Sequence, residues 1–600
     1  MSGKIITCIA EKPSVGKDIA RVLGCTEAHD GYYSGYSKLL DAEVNVTWTF
    51  GHLCQLKLPH EYKPEWKQWN YAQLPLIPGK FQIRLKDNSG VSHQFNVIKQ
   101  LFLNSDLIIN CGDAGQEGEL IQRWVIQKCG LCNPHKTTSR PVKRLWISSM
   151  TDEAILEGFK HLRDSSDYQH LYEAGLARAC GDWMIGMSAS RYYTMMGRRA
   201  GHQCTFSVGR VQTPTLAMIV KRQREIENFQ PEDYYVLSTV YRDVVFQASD
   251  GAFRKKSDAE LALESIRGKE FVVKGVATKK SNEAPPRLYD LTSLQVDMNR
   301  KYGYSADFTL TTLQSLYEAK LVTYPRVDTT WLPDDVYGDC PRILQGLVGY
   351  RDYVNKLNLN KLRKDKKFFD SKKVTDHHAI IPTGKSPWGT LTDAQINLYD
   401  DIVKHFIAAF YPDCTSSVTT VTGKVGEVEF KATGKQILDY GWYDVFGKAP
   451  EGKILPDLKK GESGPHTPTL TTRTTTPPPL YTEATLLRAM ETAGNEVEDE
   501  ELRSAMKANG IGRPSTRAAI IELLFKRGYI AHQKKNIIPT DIGEALVDAI
   551  TDPLLKSPEL TGQWEKKLRE VEAGTYPVGQ FMEELKDMTY KIVKKERQIS

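Results

Sequence analysis

The sequence has no apolar run long enough to cross a membrane. The run from Ile5 to Ala10 meets Glu11 and Lys12 at once, and no stretch of the 600 residues approaches the roughly 20 apolar residues of a membrane span. The run is also too short for the core of a signal peptide. These absences predict a folded, soluble, cytoplasmic chain with no membrane partner.

Cysteine is sparse and shows no regular spacing. The ten cysteines lack the dense pattern of a secreted disulfide scaffold, which favours a reducing compartment. Cys129 and Cys132 form a CxxC, but no second CxxC follows, and a structural zinc ion needs four ligands. We therefore expect mostly buried thiols rather than a zinc site.

The glycine patterns that hold nucleotide phosphates are also missing. Gly16 and Lys17 lie where a strand turns into a helix, but Glu11 replaces the first glycine of a phosphate-binding loop and Asp18 replaces its Ser or Thr. The glycines between 112 and 118 recur every third residue, unlike a dinucleotide fingerprint. The sequence thus predicts no ATP or NAD site.

A strong excess of one charge is absent too. The chain has 80 Lys and Arg against 74 Asp and Glu, a formal net charge of +6. Spread over this length, the excess permits nucleic-acid binding but does not indicate it. Local clusters must therefore identify the partner.

The chain is too long for one hydrophobic core, so several domains are expected. Strand and helix signals alternate at first, helical periodicity follows, and period-two runs then indicate a β-rich arm interrupted by a helical insert. The polar stretch 461–479 is interpreted as a linker. The predicted class is multidomain, α/β plus α plus β, with segments 1–150 (α/β), 151–225 (helical), 226–285 (β-rich), 286–412 (helical insert), 413–475 (β-rich) and 476–600 (helical).

Acidic side chains follow two predicted strands. Glu11 comes directly after the first strand, and Asp113 and Glu117 belong to a loop after another. Because carboxyl ends of strands meet at one edge of an open α/β sheet, these side chains are expected to converge. Either element alone indicates only a solvated turn, but together they predict a Mg²⁺ site, since Mg²⁺ takes one or two carboxylates and keeps several waters.

Tyr324 offers a second kind of chemistry. It precedes Pro325, which disfavours helix in the residue before it, so an extended segment is expected with Arg326 on the same face. A phenol with a pKa of about 10 is a poor nucleophile, but a guanidinium stabilises the phenolate and pairs with phosphate. A phosphotyrosine intermediate is chemically reasonable, and an ordinary half-buried tyrosine is the alternative.

Aromatic and cationic side chains cluster in the helical segment after residue 151. They are Arg178, Asp182, Trp183, Arg191 and Arg198. Aromatic rings stack on DNA bases and arginines pair with phosphates, so this combination suits single-stranded DNA. The ring of Trp69 is a further stacking surface. The alternative is an Arg178–Asp182 pair within one helix and tryptophans in the core.

Taken together, these motifs resemble the type IA DNA topoisomerases, and among them the bacterial topoisomerase III enzymes. The likeness covers nearly the whole chain and follows the family's order. Its motifs are IAEKPS at 9–14, GHL at 51–53, DAGQEGE at 113–119, SVGRVQTP at 207–214, TYPR at 323–326, DHHAIIPT at 376–383 and GIGRPST at 510–516. The resemblance implies an N-terminal Toprim domain, a ring of four domains, and ATP-independent relaxation or decatenation of DNA by single-strand cleavage, strand passage and religation.

The resemblance also implies residue roles. Tyr324 would form a 5′-phosphotyrosine, and Arg326 would stabilise the reacting phosphate. Glu11 would act near the leaving 3′ oxygen, Lys12 would supply positive charge, and His377 corresponds to an active-site histidine. The implied Mg²⁺ ligands are Glu11, Asp113 and Glu117. The implied DNA contacts are Trp69, Arg178, Asp182, Trp183, Arg191, Arg198, Ser207, Val208, Gly209, Arg210, Val211, Gln212, Arg513 and Thr516.

The implied substrate is DNA with single-stranded regions preferred, a helicase is a candidate partner, and a nucleoid-associated monomer is expected.

Two departures from the family pattern stand out. Gly115 replaces the loop's second aspartate and Gln116 its arginine, which predicts weaker Mg²⁺ binding or a shifted metal. No cysteine follows Cys414, so this sequence has none of the C-terminal cysteine clusters that form zinc ribbons in many relatives; either the enzyme lacks that tail or the chain is a core fragment. The rival functions are a Toprim nuclease or primase, which leaves Tyr324 unexplained, and a catalytically decayed single-stranded-DNA clamp.

Overall fold

The computed structural model describes residues 4–131, 140–147, 150–374, 377–387, 389–447, 451–496, 500, 503, 506 and 510–594. Cys132 of the CxxC and Asp376 of the 376–383 motif lie outside the described residues. Across these ranges, no helix combines the length and apolarity that crossing a membrane requires.

An α/β layer opens the chain. Its strands are β1 (Ile5–Ala10), β2 (Glu27–His29), β3 (Tyr32–Ser37), β4 (Ala42–Trp48), β5 (Cys54–Leu56), β6 (Ile83–Leu85), β7 (Leu107–Cys111), β8 (Val142–Arg144) and β9 (Arg163–Asp164). Its helices are Pro13–Leu23, Pro59–Tyr62, Ser89–Leu103, Gln116–Lys128 and Asp152–Lys160. The main sheet has the order β2-β3-β4-β1-β7-β8-β9, with β1 parallel to both β4 and β7. The carboxyl ends of these three strands therefore meet at one edge.

The core of this layer continues past residue 150. Ile155 and Phe159 of the helix Asp152–Lys160 pack in the same core as Ile6, and β9 pairs with β8. A helical pattern does not tell which core its apolar face joins, which is why the sequence assigns this helix to the next segment. The domain division remains a prediction, and this packing favours a first segment that ends after Asp164.

A second sheet forms the β-rich arm. Its strands are β10 (Asp233–Tyr241), β11 (Val244–Ala248), β12 (Phe271–Glu283), β13 (Cys414–Val425), β14 (Val428–Asp439), β15 (Ser463–Gly464) and β16 (Thr467–Thr474). They pair antiparallel in the order β15-β12-β13-β14-β11-β10-β16, with the helix Lys256–Ile266 packed against β10 and β16. The linker interpretation of 461–479 is wrong, because this stretch contains β15 and β16. Its threonines favour a strand, and Pro468 is tolerated because β16 lies at the sheet edge.

The insert between β12 and β13 is helical and has its own core. Its helices are Leu291–Tyr302, Ala306–Glu318, Cys340–Gly346, Arg351–Val354 and Asp393–Ala408, and the short helix Tyr443–Phe446 follows β14. Tyr324 lies in the irregular segment after the second of these helices.

The remaining helices share one core, although they come from both ends of the chain. They are Gln169–Arg199, Gln212–Glu227, Glu483–Thr492, Pro514–Lys526, Asp541–Ala549, Pro553–Lys556, Pro558–Glu572 and Val578–Lys594, with the hairpin β17 (Ile530–Gln533) and β18 (Asn536–Pro539). The helices approach closely at Gly181, where a Cβ would lie 2.6 Å from the ring of Trp564. The chain therefore leaves this unit for the arm and the insert and then re-enters it.

Candidate active site

The acidic residues after β1 and β7 converge as predicted. Ala10 lies opposite Cys111 in the parallel pair, so Glu11 and Asp113 emerge at the same edge. The backbone N–H of Asp113 donates to Oε2 of Glu11 over 3.3 Å. Glu11 is buried, with 8% of its surface exposed.

Lys12 connects these carboxylates to Tyr324. Its Nζ donates to Oδ2 of Asp113 over 2.8 Å and to Oη of Tyr324 over 2.7 Å. The same nitrogen lies 3.6 Å from Oε1 of Glu11. One ammonium group therefore contacts both the acidic edge of the sheet and the phenol that comes from the insert.

Tyr324 is fixed by its neighbours in the insert. Thr323 donates its N–H to the carbonyl of Ile381 over 2.9 Å, which holds the segment extended. The ring of Tyr317 contacts Tyr324 edge to face, with centroids 5.6 Å apart, and the ring of His377 lies 4.4 Å away. Nε2 of His377 is 3.5 Å from Oδ2 of Asp113. The sequence motifs do not point to Tyr317, whose role follows only from the packing.

The electrostatics of this group favour a charged Lys12. Burial alone would lower the pKa of Lys12, but attraction by Asp113, Tyr324 and Glu11 outweighs it and raises the pKa above its usual range. Burial opposes ionisation of Asp113, yet His377 and Lys12 hold the pKa of its carboxyl well below the ordinary value. Burial raises the pKa of Glu11, as does repulsion from Asp113. Burial also raises the pKa of Tyr324, against the effect of Lys12.

The predicted magnesium ligands are not all gathered in one place. Glu117, whose side chain is 56% exposed, accepts a hydrogen bond from His52. Within the described ranges, no group of three or more His, Cys, Asp or Glu side chains is arranged to hold a metal ion. Glu11 and Asp113 nevertheless supply hard oxygen donors side by side, which suits an ion that uses one or two carboxylates and several waters.

A buried arginine supports the acidic loop. Arg144 donates to the carbonyl oxygens of Gly112 and Asp113 over 2.6 and 2.7 Å, and its Nε lies 3.0 Å from Oε2 of Glu119. Both charged side chains are fully buried. No sequence motif singles out Arg144 and Glu119 as a pair, although a cation at the end of β8 beside an acidic loop is a usable signal.

Arg326 does not contact the phenol through any described hydrogen bond. Its side chain is exposed, and its Nη1 donates to the carbonyl of Ser515 over 3.3 Å. Arg513 precedes the helix Pro514–Lys526, and the hydroxyl of Thr516 donates to the Arg513 carbonyl over 3.0 Å. The predicted 323–326 and 510–516 motifs therefore lie side by side.

The arginines of the helical unit pair with partners far along the chain. Arg178 lies 2.7 Å from Glu565, and Arg210 lies 3.0 Å from Asp182 and 3.4 Å from Glu565. The alternative of an Arg178–Asp182 pair is therefore wrong. Burial lowers the pKa of Arg178 to about 10, although attraction by Glu565 opposes the shift.

The two tryptophans have different environments. Trp69 is 37% exposed, and the guanidinium carbons of Arg191 and Arg198 lie 5.3 and 5.6 Å from its ring. Trp183 is only 9% exposed, and its Nε1 donates to the carbonyl of Lys57 over 3.0 Å. The burial of Trp183 favours the core alternative for this ring over a stacking platform for DNA.

The loop 207–212 is held by its own hydrogen bonds. Ser207 donates its N–H to Tyr529 Oη over 2.7 Å, and Val208 donates its N–H to Ser190 Oγ over 2.9 Å. Nε2 of Gln212 donates back to the Ser207 hydroxyl over 3.2 Å. The loop with the predicted DNA-contacting residues is therefore fixed; Val208 and Arg210 are buried in it, and Ser207, Gly209, Val211 and Gln212 are half-buried.

Comparison with known proteins identifies the family. A DNA topoisomerase family model matches residues 166–583, and a Toprim domain model matches residues 6–150. DNA topoisomerase 3 of Bacillus cereus is 38% identical over 609 residues, covering 98% of this chain and 81% of that protein. DNA topoisomerase 3 of Bacillus subtilis is 37% identical over 610 residues, with the same coverage.

The fold agrees with this assignment. The structure of full-length topoisomerase I from Thermotoga maritima superimposes with a TM-score of 0.69 at 23% identity, covering 98% of this chain and 90% of that one. The predicted family and the predicted multidomain class with an N-terminal Toprim domain are confirmed. The chain belongs to the type IA DNA topoisomerase family.

Proposed function

We propose that Tyr324 is the nucleophile with which this topoisomerase cuts one DNA strand. Its phenol oxygen attacks a backbone phosphorus, and the bond from phosphorus to the 3′ oxygen breaks. The tyrosine loses its proton, while the leaving 3′ oxygen gains one. The phosphotyrosine at the new 5′ end keeps the ester bond, so attack by the 3′ hydroxyl reseals the strand without ATP.

The contact between Lys12 and Tyr324 is the observation that carries this proposal. A cation 2.7 Å from the phenol oxygen favours the phenolate and also attracts the phosphate that the phenolate attacks. Glu11 is placed beside Lys12, where a carboxyl group can protonate the leaving 3′ oxygen. Arg326 and His377 are proposed to contact the reacting phosphate.

Glu11 and Asp113 are the proposed Mg²⁺ ligands, with Glu117 acting through water. Bound Mg²⁺ would supply positive charge for positioning the DNA phosphate. Asp113 keeps an anionic carboxylate at this edge, as its lowered pKa indicates.

Single-stranded DNA is the proposed binding form, and a monomer the proposed active unit. Trp69 presents a partly exposed ring beside the guanidinium groups of Arg191 and Arg198, which suits a base and its flanking phosphates. The proposed contacts continue at Arg513, which is half-buried, and at Arg178 and Arg210, whose guanidinium groups are largely buried and pair with Glu565. Because duplex DNA hides its base faces, a helicase that opens the duplex is the proposed partner.

A covalent adduct tests the proposal. Wild type, Tyr324→Phe and Tyr317→Phe are incubated with an oligonucleotide labelled at its 3′ end, and the reaction is stopped with denaturant. Wild type and Tyr317→Phe should carry the label on protein, whereas Tyr324→Phe should bind the strand without forming an adduct. Tyr317 is the matched control, because its ring contacts Tyr324. An adduct with Tyr324→Phe would refute the assignment, and none with wild type would favour a decayed clamp.

A further inference from the structure

Phe50 is an exposed aromatic residue at the catalytic edge of the first sheet. It lies two residues beyond the end of β4, and 51% of its surface is exposed. Trp48 pairs with Ala10 in the parallel ladder, so the chain after β4 emerges beside Glu11. Single exposed apolar residues are common on protein surfaces, so the position of Phe50 beside the catalytic edge, rather than its exposure alone, points to a partner.

The backbone on both sides of Phe50 is fixed to β1 and to Glu11. The N–H of Thr49 donates to the Ala10 carbonyl over 2.9 Å, and the Thr49 hydroxyl donates to the Glu11 carbonyl, also over 2.9 Å. The N–H of Gly51 donates to the same Glu11 carbonyl over 3.1 Å. Gly51 has a φ of 67°, a left-handed conformation that suits glycine. The backbone of Phe50 is therefore held beside Glu11 by this turn.

The surface next to this turn is open. A Cβ added at Gly51 would meet no atom within 4 Å. The side chains of His52 and Glu117, which follow along the same edge, are 28% and 56% exposed. This open edge lies beside Glu11, and the exposed ring of Phe50 is available there to a DNA strand whose phosphate reaches Tyr324.

We propose that Phe50 stacks on one base of the DNA strand beside the phosphate that is cut, and so restricts the positions at which cleavage occurs. The inference rests on the proposed cleavage by Tyr324. Its ligand is a nucleobase of single-stranded DNA, because only an unpaired base presents a free face to a side chain. Stacking near Glu11 would fix the register of the phosphate against the phenol.

Three substitutions at Phe50 separate the effect of an aromatic face from the effect of side-chain size. Phe50→Ala removes the ring, Phe50→Leu keeps an apolar side chain without a π face, and Phe50→Trp keeps the aromatic face. Tyr440→Ala is the matched control, since Tyr440 is 53% exposed and lies at the end of β14 in the arm. All four substitutions should leave the melting temperature unchanged, because the side chains are exposed.

Two measurements follow. Oligonucleotides with 2-aminopurine at successive positions are bound to Tyr324→Phe protein with and without each substitution, so that fluorescence reports stacking without cleavage. Cleavage positions are mapped with the Tyr324 protein after denaturation. One position should show quenching that Phe50→Ala and Phe50→Leu remove and Phe50→Trp keeps. Phe50→Ala should bind the strand at least about fivefold more weakly and cut at a broader set of positions.

The outcomes separate this inference from the proposed function. If Phe50→Ala keeps the quenching, the affinity and the cleavage map of its parent, the stacking role is overturned while cleavage by Tyr324 stands. If no adduct forms in wild type, cleavage by Tyr324 fails, and unchanged quenching in Phe50→Ala still rejects the stacking role. A loss of quenching in Tyr440→Ala would show that the signal does not report Phe50.

Discussion

The ammonium nitrogen of Lys12 lies 2.7 Å from the phenol oxygen of Tyr324, although 312 positions separate the two residues. Lys12 belongs to the sheet layer and Tyr324 to the insert between β12 and β13. Any movement that opens a gap between these two units must break this hydrogen bond. The contact therefore belongs to the closed state, in which the proposed chemistry takes place.

Lys12→Met should slow adduct formation by about 100-fold or more, because it removes a charge at the reacting oxygens but keeps the length of the side chain. Lys12→Arg should recover part of the rate. The rate of protein–DNA adduct formation in denaturant measures the effect. Lys320→Met is the control, since Lys320 pairs with Asp18 over 3.0 Å across the same two units. Equal loss in both variants would mean that docking of the units, rather than Lys12, limits cleavage.

Trp183→Ala should destabilise the fold by about 3 kcal/mol or more, because it empties a buried aromatic site. Trp69→Ala should leave the melting temperature nearly unchanged and weaken single-strand binding by about 1 to 3 kcal/mol. Thermal unfolding and fluorescence anisotropy with a labelled oligonucleotide measure the two effects. A stable Trp183→Ala protein with weakened DNA binding would restore the platform interpretation of that ring.

The sequence predicts the parts of the site that depend on local rules. Glu11 and Asp113 follow strands of one parallel sheet, so strand ends alone bring them together. Pro325 disfavours helix at Tyr324, and Tyr324 lies outside the helices of the insert. The contact of Lys12 with Tyr324 depends on how two separately packed units dock, and no periodicity in either segment carries that information.

The site predictions that the structure does not support concern side chains whose sequence pattern fits two different environments. Trp183 lies near arginines in the sequence, yet the pattern is the same for a core ring and a stacking platform. Arg178 and Asp182 have helical spacing, but Arg178 pairs with Glu565 of the C-terminal helices and Asp182 pairs with Arg210 of the loop 207–212. Only the return of the C-terminal helices to this unit reveals Glu565 as a partner.

Glu565→Gln should destabilise the fold by about 3 kcal/mol or more near neutral pH, because it leaves two buried arginines without their shared carboxylate. Burial opposes ionisation of Glu565, but Arg178 and Arg210 lower its pKa below the ordinary value of 4.5. Its stabilising effect is therefore present above pH 4.5 and is lost as the pH falls through the folded-state pKa.

Denaturant unfolding from pH 7 downward measures this effect, and the difference between wild type and Glu565→Gln should narrow in acid. Asp548→Asn is the control, because it breaks an exposed pair with Arg224 and should cost no more than about 1 kcal/mol. A difference that does not change with pH would show that Glu565 acts through packing alone.

Gly115→Asp should lower the Mg²⁺ concentration at half-maximal relaxation by about tenfold, or roughly 1.4 kcal/mol, because it adds a carboxylate beside Asp113. The backbone accepts this residue: Gly115 has a φ of 179°, which is extended and open to any side chain, and it caps the helix Gln116–Lys128 without a side-chain hydrogen bond. Aspartate is favoured at such a position and should also stabilise the helix.

Gly115→Asn separates the effect on Mg²⁺ binding from the effect on helix stability, since asparagine caps equally well but carries no charge. Titration of relaxation against Mg²⁺, with melting temperatures taken in parallel, should show raised stability in both variants and a lower Mg²⁺ requirement in Gly115→Asp alone. An unchanged requirement in a folded Gly115→Asp protein would mean that Glu11, Asp113 and Glu117 already satisfy the ion.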